Sequence, residues 1–522
     1  MTTAVEMSAP ATRPPQSAVR VVVVGAGFAG LAAVKALAGR HGQSSRVDVT
    51  LVDQHNYHVF TPFLYQVATA LLEPTGAAHP VRPLIRGLRD VEFRLAQVSG
   101  FNFRLHRVES DHGSIDYDYL IVATGAVNDY FQNADIATKT FSLNQLDAAQ
   151  ELRNHILSCF EAAVWVTDSV ERSRLLTFAV VGGGPTGVEF SAALSVLVHE
   201  LVARDFAVIS GAEPRVVLVE GSTALLTSFA PDLQDKAHRA LRARGVQIES
   251  TALVAEVDKD GLVLKDGRRL ASATVVWAAG VRANPLADCF PATGTRGRVM
   301  VGATLQVERH PEVFVVGDSA EIPGRSGALP MLAQVAIQSG RHAARSVLAL
   351  SSGGTVSTFH YRDLGTMAVL GRGDAVAQIG RVHLTGLSGW LAWLAVHLAR
   401  ANSWQTKATV MFDWVSGLVF TDRPVRLITR PTVEPTSSET GARRPDTRAE
   451  PVRSVAFAKA DLPSVNVANT HRWGRVAALA WWSQDYPGLR PKPTRQKGIA
   501  ALRGRALRLR HVLTGDKSSA ED

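Results

Sequence analysis

Two glycine triads in this 522-residue chain have the spacing that lets a main chain hold a pyrophosphate. Gly25, Gly27 and Gly30 lie in VVVVGAGFAG, and Gly182, Gly184 and Gly187 lie in VVGGGPTGVEF. In such a triad the first glycine permits a tight turn, the second lets phosphate approach the backbone, and the third lets a helix pack closely on the strand. Phe28 and Ala29 complete the first turn, and Pro185 and Thr186 complete the second. Amides at the opening of each helix then face the anion. An acidic residue closes the next apolar run after each copy, Asp53 after Val47–Val52 and Glu220 after Arg215–Val219. There a carboxylate can accept from ribose hydroxyls; the alternative is an unliganded carboxylate at a strand end. Glu220 also bears on cofactor choice, because a carboxylate repels a 2′-phosphate and no arginine follows it immediately, so NADH is favoured over NADPH.

The elements that must position these residues are legible around them. Val21–Val24 and Phe178–Val181 read as strands entering the glycines, with helix patterns leaving at Leu31 and Val188. Two dinucleotide cradles in one chain suit hydride transfer from nicotinamide to a flavin. Tyr119–Val122 runs into Ala123-Thr124-Gly125, and Val275–Ala278 runs into Ala279-Gly280, small-residue turns of the kind that close such domains. Val313–Val316 delivers Gly317-Asp318, where the carboxylate can reach a ribitol hydroxyl. The cofactors read from these segments are FAD and NADH, and no metal site is read. Glu189, just after the second triad, is a candidate for a desolvated, proton-relaying carboxylate. The alternative is a helix-opening glutamate stabilised by the dipole.

Four further segments carry a family resemblance. Asn56–Thr69, NYHVFTPFLYQVAT, resembles the HxFxPLLYQVAT segment of the type II NADH dehydrogenases, and Ala333–Gln338 is similar to their AQxAxQ motif. Trp277–Val281 and Tyr361–Ala368 also fit, and the likeness spans roughly residues 19–430. That family comprises single-subunit NADH:quinone oxidoreductases among the flavoproteins with two dinucleotide-binding domains. The resemblance implies NADH oxidation through FAD, with a membrane quinone reduced close to Gln334 and Gln338, and a place for Glu189 beneath the flavin. Leu364 stands where the family often has lysine, Gly373 where a bulkier residue is usual, and Thr61 where glutamine is usual before Pro62.

The fold class expected is α/β, with two Rossmann-like nucleotide-binding domains and a small C-terminal membrane-anchoring domain with amphipathic helices. The layout expected is a disordered N-terminus over 1–18, an FAD domain in two pieces at 19–145 and 292–350, and an NADH domain between them at 146–291. An anchoring domain follows at 351–430 and a basic, largely disordered tail at 431–522. Ser388–Ala399 and Ala408–Phe420 read either as buried core or as interfacial helices, and the resemblance implies the latter; Ser388–Ala399 is shorter than the roughly 20 residues a spanning helix needs. No segment is read as long enough to span, which implies an enzyme that does not pump protons. The net charge of +9 suits an anionic lipid surface at the cytoplasmic face, and no nucleic-acid partner is expected. Cys159 and Cys289 form no CxxC pair, which argues against thiol chemistry, and both are expected to be buried and inert. Homodimerisation stays open. So do two other readings, an NADH-dependent flavoprotein reductase of a soluble electron acceptor and a redox-responsive binding protein.

Overall fold

Strands whose side chains are apolar on both faces must be covered on both sides, and Val19–Val24 is such a run, with Val21 to Val24 buried. It lies in the middle of a six-stranded sheet in the computed structural model, which describes residues 18–38, 47–209, 213–325, 327–400, 407, 411 and 426–429. Val47–Asp53 and Val91–Leu95 extend this sheet on one side, and Tyr119–Val122 and His310–Val315 on the other, all parallel. Gln306–Val307 adds an antiparallel edge. The sheet thus takes strands from both sides of a long insertion. Helix Phe28–Ala38 packs against helix Ala333–Ser351 so closely that a Cβ on Gly340 would lie 2.2 Å from the Ala29 carbonyl oxygen.

The insertion builds a second parallel sheet in the order Val246–Glu249, Arg215–Val219, Thr177–Val181, Thr274–Trp277. Helices Leu146–Trp165 and Pro185–Arg204 contribute buried apolar side chains to the core beside it. Pro185–Arg204 corrects the expectation that no segment is long enough to span: it has the length and hydropathy of a spanning helix. Most of that stretch is buried inside the protein, so its apolarity serves the core of this lobe.

Beyond Ser351 the helix ends in a turn in which Gly353 adopts φ +75° and Gly354 N–H donates to Ala349 O. The residues that follow form an antiparallel sheet of Thr366–Gly371, Asp374–Ile379 and Val382–Thr385, which the sequence reading did not foresee. Gly373 falls in its first hairpin with φ +70°, a conformation that a larger residue at this position would strain. Helix Gly386–Arg400 packs back on the sheet, covering the apolar run read at Ser388–Ala399. The helix expected at 408–420 lies outside the described residues apart from Met411, as do residues 1–17 and the 431–522 tail.

Candidate functional site

In each glycine triad the first and third residues do the jobs their spacing implies. Gly25 (φ +103°) and Gly182 (φ +114°) turn the chain where a Cβ would strike the carbonyl oxygens of Ala123 and Ala278, at 2.3 and 2.5 Å. A Cβ on Gly30 or Gly187 would lie 1.8 or 1.9 Å from the carbonyl oxygen of its own Gly25 or Gly182. The middle glycines differ: nothing lies within 4 Å of a Cβ built on Gly27 or Gly184. That space, at the mouth of a helix, is where a pyrophosphate fits.

The acidic residues are bound into the same turns. Asp53 accepts from Ala26 N–H at 2.6 Å and from His55 N–H at 2.7 Å. Glu220 repeats the arrangement, accepting from the N–H groups of Gly183 and Ser222. Burial pushes the Asp53 carboxyl up, while the two amides and His55 oppose the shift. His58 is buried and bonds the Ala26 carbonyl at 2.9 Å through Nδ1, and burial holds its pKa down at about 4. It is therefore a neutral imidazole that braces the turn.

The closing turns meet the first cradle. Thr124 Oγ1 lies 2.9 Å from Ser319 Oγ, which also donates to Gly125 O, so Ala123-Thr124-Gly125 is tied to Gly317-Asp318. Asp318 Oδ1 is buried with no hydrogen-bond partner among the described residues, and burial raises its pKa to about 6. An orphaned acceptor costs about 1–3 kcal/mol unless a ligand supplies a donor. This atom, the open space at Gly27 and the turns at Ala123–Gly125 together fit FAD. At the second cradle Ala279 and Gly280 line the cavity with Gly184, Pro185, Thr186 and Glu220.

Both cradles open into one cavity of about 1310 Å³, larger than the ~300–1,000 Å³ of a site for a single drug-sized ligand. Glu189, near the N-terminal end of Pro185–Arg204, lines it. Its Oε1 accepts from Val369 N–H at 3.0 Å, and the Trp393 side chain also bonds the carboxyl. Burial outweighs these two bonds and lifts its pKa to about 8. Both partners come from the C-terminal sheet and helix.

Gln334 and Gln338 are engaged elsewhere. Gln334 accepts from Leu364 N–H at 3.0 Å and donates to Gly365 O at 3.1 Å. Gln338 accepts from Arg362 N–H at 3.1 Å and donates to Arg362 O at 2.9 Å. Neither side chain lines the cavity, whereas Ala333 and Ala336 of the same helix do. Their amides hold the Arg362–Gly365 loop to the helix. Cys159 is buried, with its thiol pushed up to about 12 by burial, as an inert cysteine requires. Cys289 corrects the expectation of burial: it is exposed at the end of the turn Pro285–Cys289, whose buried member is Ala287. Among the described residues no cluster of three or more His, Cys, Asp or Glu could hold a metal ion.

The sequence matches the pyridine nucleotide-disulphide oxidoreductase family over residues 19–340 and the NDH2 C-terminal domain over 364–421. It is 39% identical over 422 residues to the type II NADH:quinone oxidoreductase NdhA of Mycobacterium tuberculosis, covering 77% of this chain and 87% of that protein. The chain belongs to the type II NADH:quinone oxidoreductases. A second relative of this family from the same organism, Ndh, is 36% identical over 436 residues, covering 80% of this chain and 92% of its own. The fold agrees with that of the type II enzyme NDH2 from Plasmodium falciparum solved with NADH, with TM-score 0.71, 18% identity, and coverage of 78% of this chain and 99% of that one. Within the type II enzyme described here, the sequence reading missed Tyr65, Met367 and His397, all of which line the cavity. Tyr65 and Met367 had a signal, as parts of the Asn56–Thr69 and Tyr361–Ala368 segments, and His397 lies in the apolar run Ser388–Ala399.

Proposed function

We propose that this protein is an FAD-dependent NADH:quinone oxidoreductase that oxidises NADH at the second cradle and reduces a membrane quinone at the end of the shared cavity beside Glu189. The observation that carries this reading is the single cavity into which both cradles open. Bound at Gly25–Gly30, Ala123–Gly125 and Asp318, FAD supplies the two-electron relay between nicotinamide and quinone. Gly184 and the helix opening at Pro185 hold the NADH pyrophosphate, and Glu220 accepts from the adenosine ribose. Glu189 holds a proton at neutral pH, because its pKa of about 8 keeps the carboxyl neutral, and is placed to deliver it as quinone becomes quinol. Gln334 and Gln338 serve the acceptor end by fixing the Arg362–Gly365 loop.

The acceptor end faces a surface suited to lipid. Leu387 and Leu391 on helix Gly386–Arg400 are 61% and 52% exposed, and Val382 on the adjoining strand is 57% exposed. This apolar face supports peripheral binding to the bilayer, at the cytoplasmic face in our reading, with no proton pumping. Anaerobic stopped-flow tests the whole proposal. NADH should bleach the flavin absorbance and a short-chain quinone should restore it rapidly. A purified protein that binds no FAD, or a bleached protein that no quinone restores, overturns it.

A further inference from the structure

Neither Gln334 nor Gln338 lines the cavity, and their amides bond the Arg362–Gly365 loop, so the hydrogen-bond donor to a quinone carbonyl is sought among the side chains on the cavity wall. A suitable donor is neutral, desolvated and on the cavity wall, so that it polarises a carbonyl without adding a fixed charge. Tyr65 has these properties. Its side chain lines the cavity, yet the residue is only 5% exposed. The short helix Leu64–Ala68 fixes its backbone, and Thr69 donates to its carbonyl through both N–H and Oγ1. Gln66 Nε2 donates to the phenol oxygen at 3.1 Å, which leaves the phenol's own proton to be given away. No described residue accepts that proton. A buried hydroxyl with an unused donor is costly to keep unless a ligand accepts from it.

A second observation places this donor at the acceptor end. Glu189, on the same cavity, is carried by helix Pro185–Arg204, which packs against the short helix Leu64–Ala68. Burial raises the phenol's pKa, and Glu189 when ionised raises it further, so Tyr65 stays protonated through the whole physiological range. The proton carrier and the unused hydroxyl therefore share one end of the cavity, and both are held by bonds from neighbouring side chains or backbone.

We propose that Tyr65 donates its phenolic hydrogen bond to a carbonyl oxygen of the quinone. The assignment rests on the quinone reading and deepens it. Tyr65→Phe keeps the ring and removes only the donor. The variant should retain FAD and keep its NADH:ferricyanide activity, because ferricyanide offers no carbonyl, while kcat/KM for a short-chain quinone falls about 10-fold or more. That fall corresponds to the loss of one good hydrogen bond in a dry site. A quinone kcat/KM within twofold of the unsubstituted enzyme overturns the assignment, as does an equal fall with both acceptors, which would mark Tyr65 as a packing residue. If the Phe variant does not retain FAD, 2,3-difluorotyrosine at position 65 gives the answer. It keeps the ring and hydroxyl and strengthens the donor, so the quinone KM should fall, and an unchanged KM overturns the proposal. If the unsubstituted enzyme itself reduces ferricyanide but no quinone, the quinone reading fails and Tyr65 with it.

Discussion

Glu189 Oε1 accepts the backbone N–H of Val369 at 3.0 Å, so a carboxyl carried by the helix of the second cradle is held by the first strand of the C-terminal sheet. The bond joins residues 180 positions apart and puts a titrating group where the nucleotide lobe, the cavity and the C-terminal sheet meet. No lysine stands at position 364 to pair with it, and its two identified partners are an amide and an indole. Burial outweighs those two donors, so the carboxyl keeps its proton to unusually high pH.

The first prediction follows from that proton. The pKa of Glu189 is raised from 4.5 to about 8, so between these values the folded protein binds a proton that the unfolded chain releases. Its contribution to stability is complete below pH 4.5 and is lost as pH rises towards 8. Glu189→Gln removes this dependence. The Tm difference between variant and unsubstituted protein should shift in the variant's favour across that window and level off above it. Quinone turnover in the unsubstituted enzyme should decline through about pH 8, and the variant, slower throughout, should lack that limb. An identical alkaline limb in both proteins removes Glu189 from proton delivery.

We propose that Glu220 sets the choice of nicotinamide cofactor. Its carboxylate is oriented by Gly183 and Ser222 N–H groups, and a ribose hydroxyl donating to it forms a charge-assisted bond. Such bonds contribute ~1.5–3 kcal/mol, so Glu220→Ala should raise the KM for NADH by ~10- to 100-fold. The same change removes the repulsion of a 2′-phosphate, and the ratio of kcat/KM for NADH over NADPH should fall. Steady-state kinetics with both cofactors checks this; a preserved ratio would place discrimination elsewhere.

What could be read from the sequence was local, and what could not was set by distant partners. The glycine triads and their acidic residues were legible because φ, turn geometry and strand ends depend on a few neighbours, as Gly25 and Gly182 illustrate. The location of Glu189 was legible for the same reason. Its two donors, Val369 N–H and the Trp393 side chain, were not, since both lie in the distant C-terminal sheet and helix. Gln334 and Gln338 sat in a recognisable motif, yet their amides are spent on a loop nearly thirty residues on, a fact no spacing within the motif encodes. The sheet at 366–385 was missed because Gly371 and Gly373 break the alternation that would mark two strands.

The loop tie yields its own test. Gln338 exchanges two hydrogen bonds with the backbone of Arg362, and Gln334 accepts from Leu364 N–H. Gln338→Ala should expose the Arg362 amide and speed its hydrogen exchange by about 5-fold, the equivalent of one bond of ~1 kcal/mol. Quinone kcat/KM should fall while ferricyanide reduction holds. Unaltered exchange at Arg362 would show that the loop is held by other contacts.

Paired glycine substitutions separate folding from ligand binding at the first cradle. Alanine at Gly30 would put a Cβ 1.8 Å from the Gly25 carbonyl oxygen, where only movement of the backbone relieves the clash. Gly30→Ala should therefore destabilise the lobe itself, lowering Tm and yield whether or not FAD is supplied. Alanine at Gly27 meets nothing within 4 Å, so the apoprotein should fold with unchanged stability. Its methyl group instead enters the space assigned to the pyrophosphate, and FAD affinity should fall by ~10-fold or more, as a displaced phosphate loses its amide hydrogen bonds. Fluorescence titration of apoprotein with FAD reads affinity, and thermal unfolding of the same apoprotein reads stability. If Gly27→Ala binds FAD normally, the pyrophosphate does not pass over this turn. If it unfolds the apoprotein, the open space is structural. Only unchanged stability with weakened FAD binding agrees with the cradle described.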